Sequence, residues 1–237
     1  MSLLPTATST DVQELQPRVA VLPVGSFEQH GRHLPLITDT AIACIISQEI
    51  ADAYRVHLLP PITMSCSHEH AAFPGTVSIS AKTLYAVIDD IRASLARSGI
   101  HKLVIVNGHG GNYVLSNVVQ EANVDGPAVS LFPLGADWDR ARDRAGLVSD
   151  RHADMHAGEN ETSILLHAAP ELVRDGFADA DHDGGSRPFL LVQGTSSYTE
   201  TGVIGFPSHA TAAKGKAVLA SLADSFAGHL EVLGLNE

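Results

Sequence analysis

Short apolar runs that alternate with helical patterns constrain the fold of this 237-residue chain more than any other feature. Residues 18–24 and 102–106 are largely hydrophobic, which is typical of strands buried on both faces of a sheet. Shorter runs at 56–59 and 128–132 repeat the pattern. Strands separated by helices form parallel βαβ units, with helices covering both faces of the sheet. We therefore expect an α/β fold with a mainly parallel sheet.

Five helices are predicted from hydrophobic periodicity and end signals. The clearest spans 81–98, with Ser80 as its N-cap, a stripe of leucine, valine and isoleucine, and Gly99 at its end. The segments 133–155 and 175–208 show weaker periodicity. Because both are long for structureless loops, we expect them to be functional or to hold short elements. The other predicted helices are 38–54, 112–122, 159–167 and 209–233.

Composition narrows the class of protein. The apolar fraction of 44% and the charged fraction of 18% are ordinary for a globular chain, and the length suits one domain spanning 1–237. The net charge of −12 argues against nucleic acid or an anionic membrane surface as a partner. No signal peptide or membrane-spanning run is visible, and the two cysteines form no disulfide framework. The sequence therefore predicts a soluble, cytoplasmic protein.

The loop that follows the first strand carries three residues able to bind a metal ion. Glu28 and His30 are two apart, so they point the same way in extended chain, and Asp39 lies where a helix should begin. Two carboxylates and an imidazole at the end of a buried strand are typical of a hydrolytic metal centre. The alternative is that Glu28 and His30 are ordinary polar residues at a strand end.

A second candidate is the glycine-rich segment 107–112, which joins the strand 102–106 to a helix. Three glycines around His109 allow a tight backbone and leave the imidazole free to project into a cleft. A phosphate-binding loop at a helix N-terminus is the rival interpretation, but neither the GxGxxG nor the P-loop pattern is present. We favour a metal ligand or catalytic role for His109.

A third candidate is the segment 156–162, which begins with His156 and enters a helix. Glu159 and Glu161 are both possible ligands, although they do not share a face of that helix. It is equally plausible from position alone that these acids complement the helix dipole. The sequence pattern leaves this choice open.

The fourth candidate is the segment 67–76, which contains Glu69 and His70. Its His-Glu-His run could form a second metal site, yet its spacing is not diagnostic. We interpret Glu69 and His70 as lining the pocket, where they would contact the substrate or support the metal ligands.

Together the four segments resemble the creatininase (creatinine amidohydrolase) family. They occur in the family's order and span residues 18–166. The matching stretches are Gly25-Ser26-x-Glu28-Gln29-His30-Gly31-x-His33-Leu34-Pro35 with Thr38-Asp39, Glu69-His70-x-x-Phe73-Pro74-Gly75-Thr76, Asn107-Gly108-His109-Gly110-Gly111-Asn112, and His156-Ala157-Gly158-x-x-Glu161-Thr162-Ser163.

The resemblance implies a three-layer α/β/α fold with two divalent metal ions per subunit, either zinc, manganese or iron. It also implies a homo-oligomer, commonly a hexamer. The family has glutamate at the Glu161 position and a variable residue at the Glu159 position. The resemblance therefore assigns the role of metal ligand to Glu161. The implied ligands are Glu28 and His109 for one ion, His30 and Glu161 for the other, and Asp39 as the bridge.

The activity implied by the resemblance is hydrolysis of a C–N bond other than an ordinary peptide bond, in an amide or cyclic amide of a small molecule, by a metal-activated water. His156 matches the family histidine that moves protons during this cleavage. Creatinine-specific enzymes tend to carry glutamate where this chain has Gly111, so creatinine itself is not the expected substrate. Arg32, beside the proposed centre, is a candidate contact for an anionic substrate.

Two groups of alternatives stay open at this point. Within the family, the chain could be a formamide deformylase or a peptidase of the mycofactocin-precursor type. Outside enzymology, it could be a metal- or ligand-binding module on the same fold, although His156 beside five ligand candidates argues against that hypothesis.

Overall fold

The computed structural model describes residues 4–235, so the predicted domain extends a few residues beyond it at each end. Strands and α-helices alternate along the described chain. The strands are β1 (Val19–Val24), β2 (His57–Leu58), β3 (Lys102–Asn107) and β4 (Val129–Phe132). The helices are α1 (Ser9–Leu15), α2 (Thr38–Ala53), α3 (Ala81–Arg97), α4 (Val114–Ala122), α5 (Gly135–Ala145), α6 (Glu159–Ala168), α7 (Leu190–Gln193) and α8 (Ala212–Val232).

The four strands form one parallel sheet in the order β2-β1-β3-β4. In the central pair, Val19 lies opposite Lys102 and Val24 lies opposite Asn107. Because β1 and β3 end at the same level, the loops that follow them leave the sheet side by side. This register brings residues 25–39 and 108–112 to the carboxyl edge, where sites in α/β sheets form.

Hydrophobic cores cover both faces of the sheet and create three layers. Along β1, Val19 and Val21 face a core built with α2, α5, α6 and α8, whereas Ala20 and Leu22 face a core built with α3 and α4. This alternation follows from the two-residue period of a strand. The three-layer α/β/α fold with a parallel sheet is thereby confirmed.

The segments with weak periodicity hold helices that the sequence patterns did not locate. α5 lies within 133–155, and it was missed because its charged sequence sends few side chains, Trp138 and Ala141 among them, into the core. α1 was also missed, because none of its residues is buried and its start depends on the Thr8 capping box. Within 175–208 the chain forms 3₁₀ turns and the single-turn α7.

Other predicted elements differ only at their ends. The strand predicted at 56–59 is reduced to β2, and the final helix begins at Ala212 instead of 209. Of the helices described, none is long and apolar enough to cross a membrane.

Candidate metal centre

The candidate centre lies where the loops after β1 and β3 meet the first turn of α2. Gly108 allows this approach, because a Cβ atom there would overlap the backbone carbonyl oxygen of Asp39. The start of α2 is therefore packed directly against the glycine-rich loop. Asp39, in that first turn, is buried between the two loops.

Two groups of possible ligands share Asp39. One contains Glu28, Asp39 and His109, the other His30, Asp39 and Glu161, and within each group the ligand atoms lie within 4.8 Å of one another. Asp39 Oδ2 is 3.0 Å from His109 Nδ1, and Asp39 Oδ1 is 3.0 Å from His30 Nε2. Because its two oxygens face different histidines, Asp39 has the geometry of a bridging carboxylate.

Backbone carbonyls orient both histidines. His30 Nδ1 is 3.0 Å from the carbonyl oxygen of Glu28, and His109 Nε2 is 2.9 Å from that of Cys66. Each ring therefore donates one N–H to a carbonyl and turns its other nitrogen toward Asp39. Metal-ligating histidines are commonly held in this way.

Glu28 provides the clearest test of whether the residues fit a metal ion. Both of its carboxylate oxygens are buried and lack a hydrogen-bond partner among the described residues. Its nearest polar neighbours are histidine nitrogens, His109 Nδ1 at 3.2 Å and His70 Nε2 at 3.4 Å from Oε1. A buried carboxylate that accepts no hydrogen bond is costly, and a metal ion is one of the few groups that compensates it. The N and O donors here are those that Zn²⁺ and Mn²⁺ accept. The residues present fit the coordination chemistry of a divalent metal ion.

The same side chains perturb each other's protonation. Burial lowers the pKa of His30, but Asp39, Glu161 and Glu28 overcome this effect and raise it to about 9. Burial raises the pKa of Asp39, yet the two histidines hold it well below its usual value. Burial raises the pKa of Glu161 to about 7. The site thus concentrates negative charge and favours positive charge, as a cation site requires.

His156 lies beside the two groups. Its ring centroid is 4.2 Å from that of His30 and 4.4 Å from that of His70, and its Nδ1 is 3.8 Å from Glu28 Oε1. Burial, with the charges of His30 and His70, lowers the pKa of His156 well below its usual value. This lowered pKa keeps the imidazole neutral, so one of its ring nitrogens carries a lone pair.

Glu69 and His70 both reach the centre from a 3₁₀ turn. Glu69 Oε1 is 3.3 Å from His109 Nε2, and a Cβ atom at Gly111 would overlap that oxygen. The Glu69 side chain therefore fills the space that a side chain at position 111 would occupy. Ligand atoms of Glu28, Glu69 and His70 also lie within 4.8 Å of one another.

The two acids of the α6 first turn lie in different surroundings. Glu159 accepts hydrogen bonds from the backbone of Ser149 at 2.9 Å and from Lys214 Nζ at 2.5 Å. Glu161 Oε2 accepts from the backbone N–H of Ala157 at 2.6 Å and lies with the His30 group. The structure thus brings Glu161, and not Glu159, to the candidate centre.

Three cavities that share lining residues adjoin the candidate centre. The central one has a volume of about 130 Å³ and is lined by Asp39, His109, His156 and Glu161, among others. It shares Glu69, Gly111, Tyr113 and Leu190 with a groove of about 540 Å³. It also shares His109, Gly110, Met155 and Glu161 with a cavity of about 270 Å³.

Some site residues were not singled out by the sequence patterns, and one predicted residue lies elsewhere. Gln29 was part of a matching motif but was assigned no role, and nothing in the sequence pointed to Tyr113 or Leu190. Arg32 is exposed and is not among the lining residues of these three cavities. Its contact with a substrate stays a prediction.

Comparison with known proteins agrees with this geometry. The sequence model of the creatininase family, described as creatinine amidohydrolase, matches residues 5–230. A mycofactocin precursor peptide peptidase from Mycobacterium ulcerans is 35% identical over 236 residues, covering 93% of this chain and 87% of the relative.

Solved creatininases have the same fold. A manganese form superimposes with a TM-score of 0.78 at 24% identity, covering 95% of both chains. A mutant of the Zn–Zn type superimposes with a TM-score of 0.79 at 23% identity, covering 98% of both chains. By its sequence and fold, the chain belongs to the creatininase family and is a hydrolase that acts on carbon–nitrogen bonds.

Proposed function

We propose that this protein is a dinuclear metal-dependent amidohydrolase. The observation that carries the proposal is the pair of ligand groups that share Asp39, together with the buried carboxylate of Glu28, which accepts no hydrogen bond from the described residues. Glu28 and His109 would hold one ion, His30 and Glu161 the other, and Asp39 would bridge them. Zinc and manganese are favoured, because the solved creatininases include both forms. Iron and a hexameric assembly are further expectations from the family.

Two divalent ions held by these residues would supply a water molecule of lowered pKa and a Lewis acid for the amide carbonyl. The chain's own residues supply the remaining steps. His156 Nδ1 faces the centre and is positioned to accept the proton that water loses. As the C–N bond breaks, His156 passes that proton to the departing nitrogen, which leaves as an amine. The other product is a carboxylic acid.

The substrate that the cavities favour is a linear amide, such as a short peptide with an apolar residue. At about 130 Å³, the central cavity is small compared with ordinary ligand pockets, so it accommodates little more than the scissile group. Two further cavities adjoin it through different lining residues, so a substrate has room to extend beyond the scissile group. The similarity to a peptide peptidase supports this choice over a compact ring such as creatinine.

Metal analysis with an amide screen tests the activity. We expect about two zinc or manganese ions per chain under metal-replete conditions, and hydrolysis that a chelator abolishes. The screen would compare creatinine, formamides and short apolar peptides. Fewer than about one ion per chain would refute the dinuclear proposal. Cleavage of creatinine with no cleavage of peptides would refute the preferred substrate.

The role of His156 is tested by replacing it with alanine. His156→Ala should retain both metal ions and lose about 10²–10⁴-fold in kcat, which is the usual contribution of general acid–base catalysis. His167→Ala is the control, because His167 is an exposed histidine in the last turn of α6. Unchanged turnover in His156→Ala would remove the residue from the mechanism.

The role of the 540 Å³ groove in substrate binding is tested by introducing a charge at an exposed apolar residue that lines it. Leu191, 76% exposed, belongs to the groove. Leu191→Asp should lower kcat/KM for apolar peptides roughly tenfold by weakening apolar contacts. Val124→Asp is the matched control, because Val124 is 80% exposed and lies outside the three cavities. Equal effects of the two substitutions would argue against the groove as a binding site.

A further inference from the structure

Gln29 contacts two histidines of the central cavity through different atoms. Its side-chain Nε2 is 2.9 Å from His70 Nδ1, and its backbone carbonyl oxygen is 2.6 Å from His156 Nε2. All three residues are buried. Neither histidine belongs to the two groups that share Asp39. Their hydrogen positions are therefore set by Gln29 and not by that bridging carboxylate.

The orientation of the Gln29 amide is fixed by two backbone partners. Its Oε1 accepts from the N–H of Gly31 at 3.0 Å, and its Nε2 donates to the carbonyl oxygen of Gly202 at 3.0 Å. A flipped amide would place an NH₂ group against an N–H and an oxygen against a carbonyl. Both contacts would be repulsive, so the NH₂ group faces the histidines.

This orientation determines the tautomer of His70. One hydrogen of the Gln29 NH₂ group is used by Gly202, and the other points to His70 Nδ1. Nδ1 must therefore be an acceptor, and the hydrogen of the neutral ring is on Nε2. That Nε2 is 3.4 Å from Glu28 Oε1, which is longer than a normal hydrogen bond. His70 thus has an N–H group available inside the cavity.

His156 also carries its hydrogen on Nε2, but in this ring the free nitrogen is an acceptor instead of a donor. Its Nε2 is 2.6 Å from the carbonyl oxygen of Gln29, which accepts only, so Nε2 carries the hydrogen. The 3.1 Å approach of Gln29 Nε2 to the same ring nitrogen is then a contact between two donors. His156 Nδ1 is left with its lone pair, and it faces Glu28.

We propose that Gln29 is a positioning residue that makes His70 a hydrogen-bond donor and His156 a proton acceptor in the same cavity. The inference rests on the proposed amidohydrolase function. His70 Nε2–H binds the carbonyl oxygen of the amide, on which negative charge develops as water attacks. His156 Nδ1 takes the proton from that water. Because Nε2 is protonated, His70 is not a metal ligand, although it lies within reach of Glu28 and Glu69.

Neutron diffraction from crystals of perdeuterated protein tests the tautomers directly. We expect deuterium on Nε2 of both His70 and His156, and none on Nδ1 of His70, at a pH where both rings are neutral. The measurement is made with and without Zn²⁺. It therefore remains decisive for the tautomers even if the dinuclear proposal fails. Deuterium on His70 Nδ1, or zinc bound to His70, would overturn the inference.

Two substitutions of His70 separate a donor from a ligand. Both His70→Gln and His70→Ala should retain the zinc content of the unmodified protein. Acetohydroxamate, a carbonyl-like probe for zinc centres, should bind His70→Ala about tenfold more weakly because one hydrogen bond is lost. His70→Gln, which still offers an N–H, should stay within about threefold. His101→Gln, at the opposite edge of the sheet, is the control. Loss of zinc from both His70 variants would refute the donor role.

Gln29→Glu tests the positioning role. A carboxylate accepts where the amide donates, so His70 should transfer its hydrogen to Nδ1 and turn a lone pair toward the cavity. Neutron diffraction should show this exchange, and acetohydroxamate affinity should fall as in His70→Ala. An unchanged His70 tautomer in a folded Gln29→Glu protein would overturn the assignment, and the His70 variants keep the test open if that protein does not fold.

Discussion

Glu159 and Glu161 are two residues apart in the first turn of α6, yet their surroundings differ in almost every respect. Glu159 has backbone N–H donors and an ammonium partner, which overcome the effect of burial and lower its pKa. Glu161 has one backbone donor among other acids, and burial raises its pKa to about 7. One side of the turn is built to stabilise a carboxylate without a metal ion, whereas the other leaves a carboxylate in need of a cation. Four predictions test this contrast.

Glu161→Gln should have the largest effect. We expect metal content to fall to about one ion per chain and kcat/KM to fall at least about 100-fold, because the amide is a poor replacement for an anionic ligand. With metal removed from both proteins, the variant should be no less stable than the unmodified protein, since its neutral side chain avoids burying a charge. Full metal content in this variant would show that Glu161 is not a ligand.

The next largest effect should come from removing the metal ions, which should destabilise the Glu159 and Glu161 variants by different amounts. With free metal at about 100 times its dissociation constant, each bound ion adds about 2.7 kcal/mol to the free energy of unfolding. The unmodified protein and Glu159→Gln should lose the same amount on chelation, and Glu161→Gln should lose less. Thermal unfolding with and without chelator measures this difference. An equal loss in all three proteins would contradict the assignment.

Glu159→Gln should lower the free energy of unfolding by about 2 kcal/mol, because it removes a buried carboxylate and leaves Lys214 without its charge partner. The side chain of Lys214 is 20% exposed, so water compensates part of the loss. Urea unfolding measures the effect, and metal content should not change. Glu159→Gln with Lys214→Met should recover part of the loss, whereas simple addition of the two effects would refute their coupling.

The smallest effect is the pH dependence of the stability difference between the unmodified protein and Glu159→Gln. The folded pKa of Glu159 lies below its ordinary value of 4.5, so its contribution is complete above that pH. Acidification protonates Glu159 as the pH falls through its lowered folded pKa, and the contribution is lost. The stability gap between the unmodified protein and Glu159→Gln should therefore narrow below pH 4.5. A gap that widens on acidification would contradict the sign.

The parts of the fold that could be predicted are those with local signals. α3 has an N-cap at Ser80 and a clear apolar stripe, and β1 and β3 are continuous apolar runs, so their sequences identify them. α5 lacks such a signal, because the contacts of Trp138 with the core depend on neighbours far away in sequence.

The candidate site likewise contains residues that local motifs identify and residues whose roles depend on distant segments. Residues grouped in short motifs could be assigned by resemblance, and the structure brings those assigned as ligands together. The double role of Gln29 could not be predicted, since it depends on Gly202 and His156 from distant segments. The role of Asp154 could not be predicted either. Its carboxylate accepts hydrogen bonds from the backbone N–H groups of Glu159 and Asn160 and so holds the first turn of α6. Such contacts exist only after the chain has folded.

The close approach of Glu69 to Gly111 has a consequence for how this site can change over generations. A side chain at position 111 would overlap the Glu69 carboxylate and the His109 ring. A replacement of Gly111 therefore requires the end of the Glu69 side chain to move, and it also displaces the His109 ring, which the carbonyl oxygen of Cys66 holds in place. Evolutionary change at position 111 is therefore constrained by two neighbours at once, the side chain at position 69 and the candidate ligand His109.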